Sequence, residues 1–232
     1  MTAVKKIGHW FKNYWYYYKW PVIIAAFFVF VLAFCLLSQV KKEKYDINIL
    51  YTGPYTYADG EKAGLCSTLA QIMPKDFDQN GQKTVSILNM TAYSDEQWKE
   101  LVEGVDDLAL LVQYAQYTVD QVSDGFAQQL LAGDTVICLL DPFWYQRASK
   151  EDAFAPLSEV LGYTPENLND EYSIRYEDLE ISEYDGLDLP EDTLLCFRRP
   201  STASALIGKK ETVQNYQNSK EMLASILAFK VN

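Results

Sequence analysis

Leu130–Tyr145 reads LLAGDTVICLLDPFWY: a glycine, an unbroken apolar run from Val136 to Leu140, an aspartate, a proline and three aromatics. A short apolar run behind a glycine fits a strand covered on both faces, the kind found in parallel sheets flanked by helices. The carboxylate and the rings would then stand at the carboxyl end of that strand. A catalytic acid in its pocket, a ligand platform and a packed strand end all begin this way, so the surroundings have to decide.

Upstream, Tyr45–Tyr51 (YDINILY) is a β-rich run stopped by the turn signal Thr52-Gly53-Pro54. The segment EKAGLCSTLAQIM then shows helical spacing and ends before Pro74, and Thr84–Met90 (TVSILNM) is a second strand. Ser94-Asp95-Glu96-Gln97 is a capping box ahead of Trp98, Leu101, Val102, Val105, Leu108, Val112 and Ala115 at helical intervals. A further helical run, Val119, Val122, Phe126 and Leu130, closes at Gly133 before the strand of the opening stretch. Strands alternating with helices predict parallel strands joined by right-handed crossovers, with helices on both faces of a mostly parallel sheet. The predicted class is therefore α/β.

Downstream, acids crowd residues 150–192, which read as a solvated acidic insertion containing a hairpin or edge strand in YSIRYEDLEIS before the Asp185-Gly186 turn. Thr193–Phe197 returns to an apolar strand. A last helix or two follows from Lys209 to Lys230, with Ser219 as the expected N-cap before Met222, Leu223, Ile226 and Leu227.

The amino-terminal region differs in kind. Residues 20–40, WPVIIAAFFVFVLAFCLLSQV, carry no charge; as a helix they would rise about 31 Å, matching a hydrocarbon core of about 30 Å. Ahead of them, HWFKNYWYYYKW interleaves rings with Lys12 and Lys19, a composition suited to the headgroup level of a membrane. The expected organisation is a cytoplasmic aromatic and basic segment (1–19), a transmembrane helix (20–40), a spacer (41–44) and an extracytoplasmic domain (45–232). Four lysines on the amino-terminal side set that orientation under the positive-inside rule. The apolar run shows no small-x-small cleavage site, and Phe34 ahead of Cys35 departs from a lipobox, so an uncleaved single-pass anchor in the cell membrane is expected.

Charge and inventory exclude several functions. Residues 45–232 hold 13 basic and 31 acidic side chains, a balance that repels a phosphate backbone, so no nucleic-acid partner is expected. The single histidine, His9, precedes the anchor, which removes histidine triads and histidine metal sites from the domain. No GxSxG, P-loop or GxGxxG occurs; neither an enzyme nor a cofactor is expected. Cys66, Cys138 and Cys196 sit among apolar neighbours and read as free thiols, although Cys138 and Cys196 could pair if their strands are adjacent.

Two candidate sites remain. Asp76, Asp78, Asn80 and Gly81 repeat the first half of a calcium loop, but Ile87 stands where the bidentate glutamate belongs; the competing reading is a polar helix-to-strand loop. The second site follows from topology, because ligands of open α/β sheets bind outside the carboxyl ends of the strands. Those ends carry Tyr55 and Tyr57 after the first strand, Tyr93 after the second, and Asp141, Trp144 and Tyr145 after the third. Rings beside a carboxylate suit a sugar, an amine or cationic group, or an aromatic anchor on a partner; the alternative is that they cap the core.

The helix-Gly-strand-Asp unit of the opening stretch, the aromatic cluster, and then Phe154-Ala155-Pro156-Leu157-Ser158 resemble a segment of type 2 periplasmic (extracellular solute-binding) proteins, as does the terminal SKEMLASILAF. The resemblance implies one lobe of a fold that normally clasps its ligand between two, with residues 150–192 where the second lobe would be inserted. A single lobe cannot close over a solute. What it implies is a membrane-anchored, solute-binding-like receptor or accessory subunit of a transporter or envelope complex, with a small solute or an envelope protein as partner. The alternative is a non-binding structural protein that presents the lobe to another envelope protein.

Overall fold

Five strands, β1 (Ile47–Gly53), β2 (Val85–Thr91), β3 (Ile137–Leu140), β4 (Ser173–Arg175) and β5 (Leu194–Phe197), make one sheet in the order β2-β1-β3-β5-β4. The computed structural model describes residues 3–40, 44–132, 135–184, 189–200 and 210–230, so Gly133 and the Asp185-Gly186 turn lie outside the described residues. Nine helices are described: α1 (Ala3–Val40), α2 (Asp59–Ile72), α3 (Asp95–Glu103), α4 (Leu108–Tyr114), α5 (Val119–Ala132), α6 (Pro142–Ser149), α7 (Leu157–Leu161), α8 (Glu180–Tyr184) and α9 (Lys210–Ala228). The chain divides into two units, Met1–Lys44 and Tyr45–Asn232.

The expectation of a mostly parallel sheet needs correcting. β1 runs parallel to β2 and β3, but β5 runs antiparallel to both β3 and β4, so the sheet is mixed. Strands β4 and β5 follow one another in the chain, and antiparallel neighbours need no crossover over the sheet face.

Side chains alternate between the two faces at the strand period of two. On one face Ile49, Tyr51, Ile137, Leu139 and Leu195 pack with Leu65 and Leu69 of α2 and Met222, Leu223 and Ile226 of α9. On the other, Leu50, Cys138, Leu140, Leu194 and Cys196 meet Val122 and Phe126 of α5 and Trp144 of α6. Both faces are thus covered, which is why these strands read as continuous apolar runs rather than alternating ones.

Residues 150–192 contribute directly to this core. They supply the edge strand β4 and the buried side chains of Phe154, Leu157, Val160, Ile174, Tyr176, Leu179 and Ile181. Ser219 lies buried inside the unbroken helix α9 instead of capping a new one, so the expected N-cap is corrected. Cys138 and Cys196 face each other across β3 and β5 as free thiols. Burial pushes the Cys138 thiol up to about 12 and Cys196 well above its ordinary range, so neither is a thiolate nucleophile at neutral pH.

In the amino-terminal unit, Trp20, Phe27, Phe28, Phe30 and Phe34 of α1 are each at least 60% exposed. Among the described residues no helix is long and apolar enough to cross a membrane. Of the expected span 20–40, the side chains of 35–40 lie outside the described ones, as do residues 41–43 of the spacer.

Candidate functional site

The chain passes from β1 to β2 on one side and then returns across β1 to β3 on the other, so the carboxyl ends of β1 and β3 form a topological switch point. Asp141 sits there. Its N–H donates to the Thr52 carbonyl at 2.9 Å, and Ala92 N–H donates to the Gly53 carbonyl at 2.8 Å, which ties the ends of β2 and β3 to β1. A Cβ on Gly53 would lie 2.7 Å from the Tyr51 hydroxyl and 3.2 Å from Asp141 Cβ. Only glycine fits that approach.

Asp141 is the N-cap of α6, with Pro142 in the first turn. Its Oδ1 accepts from Phe143 N–H at 2.9 Å and its Oδ2 from Gln97 Nε2 at 2.8 Å. Gln97 in turn belongs to the capping box of α3: its Oε1 accepts from Ser94 N–H at 2.8 Å, while Gln97 N–H donates to Ser94 Oγ at 3.2 Å. Burial raises the Asp141 carboxyl above its ordinary range, opposed by the bonds from Gln97 and Phe143 and reinforced by the charge of Asp192. With both oxygens engaged and only 4% of the residue exposed, Asp141 acts here as a cap that aims α6.

The expected aromatic residues divide into three groups. After β1, Tyr57 packs into the core, with its ring 5.2 Å from those of Tyr51 and Tyr55, and the Tyr55 hydroxyl donates to Glu61 at 3.0 Å. After β2, Tyr93 lies 6.4 Å from the rings of Tyr114 and Tyr117. On α6, Trp144 is wholly covered, edge-on to Phe126 at 4.9 Å and to Phe143 at 5.4 Å, and its Nε1–H has no acceptor among the described residues. Tyr145 stacks on Phe154 at 5.2 Å while its hydroxyl donates to Asp170 at 2.7 Å.

Of these residues, Tyr145 borders an open groove of about 830 Å³. Phe143, Tyr145 and Gln146 of α6 form one wall, and Asp170, Glu171 and Tyr172 before β4 form the other, with Leu194 of β5 at its base. Asp170 is held in place by three donors: the Tyr145 hydroxyl lies within hydrogen-bond distance of both carboxylate oxygens, and Oδ1 also accepts from Ser173 Oγ at 2.8 Å and Tyr172 N–H at 2.9 Å. The wall formed by Asp170–Tyr172 escapes a reading of the sequence that treats 150–192 as solvated. The Asp170 bond to the amide two residues on is a turn signature that marks the segment locally.

The acidic loop gains a member from outside its motif. Carboxylate oxygens of Asp46, Asp76 and Asp78 lie within 4.8 Å of one another, a spacing that could hold a cation. These acceptors are already in use. Asp46 Oδ1 accepts from the amides of Phe77 and Asp78, both at 2.9 Å, and Oδ2 from Thr84 N–H at 2.8 Å. Asp76 accepts from Gln79 and Gly81 amides, Asp78 from Asn80, and Asn80 Oδ1 from Gln82 N–H. The left-handed φ values of Gln79 (60°) and Gly81 (94°) complete a self-bonded turn.

No family model, no curated protein and no solved structure matches this chain.

Proposed function

We propose that the chain is a membrane-anchored extracytoplasmic recognition domain: a solute-binding-like lobe on a single-pass anchor, serving as a receptor or accessory subunit of a transporter or envelope complex. The observation that carries this reading is the groove beside Tyr145, at the carboxyl end of β3, where open α/β sheets hold their ligands. Its volume lies within the range of small-molecule sites. The charge-free run of residues 20–40 and the exposed rings of α1 support the anchor, since apolar surface of that extent is stable in hydrocarbon and not in water. Lysines ahead of the run support a cytoplasmic amino terminus.

A second reading, a lobe that binds no solute and docks on another envelope protein, is favoured by one feature. Leu108 and Val112 of α4 are 74% and 69% exposed, and Leu110 of α4 and Val102 of the preceding α3 are exposed to a lesser degree, more apolar surface than a short helix needs to present to water.

Affinity purification of the full-length protein from its native membrane, with partners identified by mass, tests both. Recovery of a transport subunit supports the first reading; recovery of other envelope proteins alone supports the second.

A further inference from the structure

We propose that the groove between α6 and the approach to β4 selects a small organic cation, an alkylammonium or guanidinium compound. This rests on reading the groove as a binding site and adds the chemistry of its ligand.

Among the described residues the charged side chains that line the groove are both acids, Asp170 and Glu171, with no lysine or arginine beside them. The donors to the Asp170 carboxylate named above are a phenol, a hydroxyl and an amide, all neutral, so they fix its orientation and leave its charge uncompensated. Among the described residues neither acid forms a salt bridge. The basic groups nearby are otherwise engaged: Arg199, whose charge reaches Tyr172, lies 3.3 Å from Asp152, and Arg147 of α6 lies 6.0 Å from the Trp144 ring centre.

Three rings border the same opening, Phe143 and Tyr145 from α6 and Tyr172 from the facing segment. An aromatic face beside a carboxylate is a site in which a cation gains from both the ring quadrupole and the charge. The field at the rim is already negative: the Tyr172 phenol is raised above its ordinary value, with the Glu171 carboxylate as the leading cause. The acid excess of residues 45–232, 31 against 13, extends that field outward and would draw cations toward the domain. An anion would meet repulsion from both carboxylates and from the faces of the rings.

The test is calorimetric titration of the full-length protein in phosphatidylcholine nanodiscs, with empty discs as the blank and phosphate as an amine-free buffer. Putrescine, agmatine and choline are the cationic probes; butane-1,4-diol and succinate are the neutral and anionic controls. The expected result is heat from at least one cation and none from the controls, with affinity falling about tenfold in Glu171→Gln, the loss of one nearby unit charge. Glu171 is exposed, so the thermal midpoint of that variant should match the wild type, which separates a lost site from a lost fold. If the diol binds as well as putrescine, or if Glu171→Gln leaves cation binding unchanged, the cation claim is overturned while the groove survives as a site. Silence from every cation up to about 10 mM overturns the claim too, and partner purification then decides the broader reading separately.

Discussion

Gln97 and Asp141, 44 residues apart, join the caps of two helices: Gln97 Nε2 donates to Asp141 Oδ2 at 2.8 Å while each residue completes the first turn of its own helix. This bond ties the first turn of α6, and with it the start of the Phe143–Tyr145 wall of the groove, to the first turn of α3. Either partner's removal leaves the other's polar atoms buried without their bond. Asp141→Ala is expected to destabilise the domain by about 2–3 kcal/mol and Gln97→Ala by about 1–2 kcal/mol. In a double-mutant cycle by urea unfolding, the two losses should fall short of additivity by about 1 kcal/mol or more; strict additivity would show that the caps act independently.

The same carboxylate makes stability depend on pH in a defined direction. Burial holds the Asp141 carboxyl above its usual value, so the native state keeps this proton where the unfolded chain has released it. Its contribution is therefore full below the unfolded value of about 3.9 and is lost as pH rises through the raised native value. Asp141→Asn retains an oxygen for the cap and removes the titration. Unfolding curves of the two proteins from acid to neutral pH should converge or cross in that direction, the wild type losing ground as pH rises. Parallel curves would contradict the assignment.

Trp144 and Tyr145 should separate cleanly despite being adjacent. Trp144 is fully buried against Phe126, so Trp144→Ala is expected to cost roughly 3–5 kcal/mol through the cavity it opens. Tyr145→Phe keeps the ring on Phe154 and removes the hydroxyl that donates to Asp170, with an expected cost of about 1–2 kcal/mol. Because that bond holds the opposite wall of the groove, hydrogen exchange at Tyr172 and Ser173 should accelerate in Tyr145→Phe. Unchanged protection there would show that Asp170 is positioned without it.

The acidic loop predicts a structural outcome. Asp46 is nearly wholly buried and bonded to amides on two segments, so Asp46→Ala is expected to cost roughly 2–4 kcal/mol. Calorimetric titration of the wild type with calcium should give no binding heat, since Ile87 stands where the loop would need its bidentate glutamate and the carboxylates already serve the turn's own amides. A saturable calcium heat abolished by Asp78→Asn would restore the metal reading.

Much of the fold was legible because several of its strands are buried on both faces. YDINILY, TVICLL and TLLCF stand out as strand-like runs, and each coincides with a strand to within two residues at either end. The Ser94–Gln97 capping box located the start of α3 for the same local reason. Strand direction is not local: nothing in TLLCF distinguishes an antiparallel strand from a parallel one, so the mixed sheet was out of reach. The site was half legible. Placing it at the carboxyl end of β3 followed from the alternation of elements, yet the three rings after Asp141 read as a strand-end cluster, although Asp141-Pro142 is the N-cap and first-turn pair of a helix. Forming α6 turned Trp144 into the core and Tyr145 toward Asp170. The facing wall needed β4 to dock on β5, a pairing between segments whose local patterns carry no record of it.

The claim on which the rest depends is that the groove is presented outside the cytoplasm. An exposed cysteine placed by Glu171→Cys, with Cys35 and Cys66 replaced by serine and Cys138 and Cys196 left buried in the core, can be challenged in intact cells with a membrane-impermeant maleimide; the parent lacking the Glu171 change serves as the blank. The account predicts labelling at position 171 in intact cells, equal in extent to that in opened membranes. Labelling that appears only after the membrane is opened would place the domain on the cytoplasmic side and contradict the account.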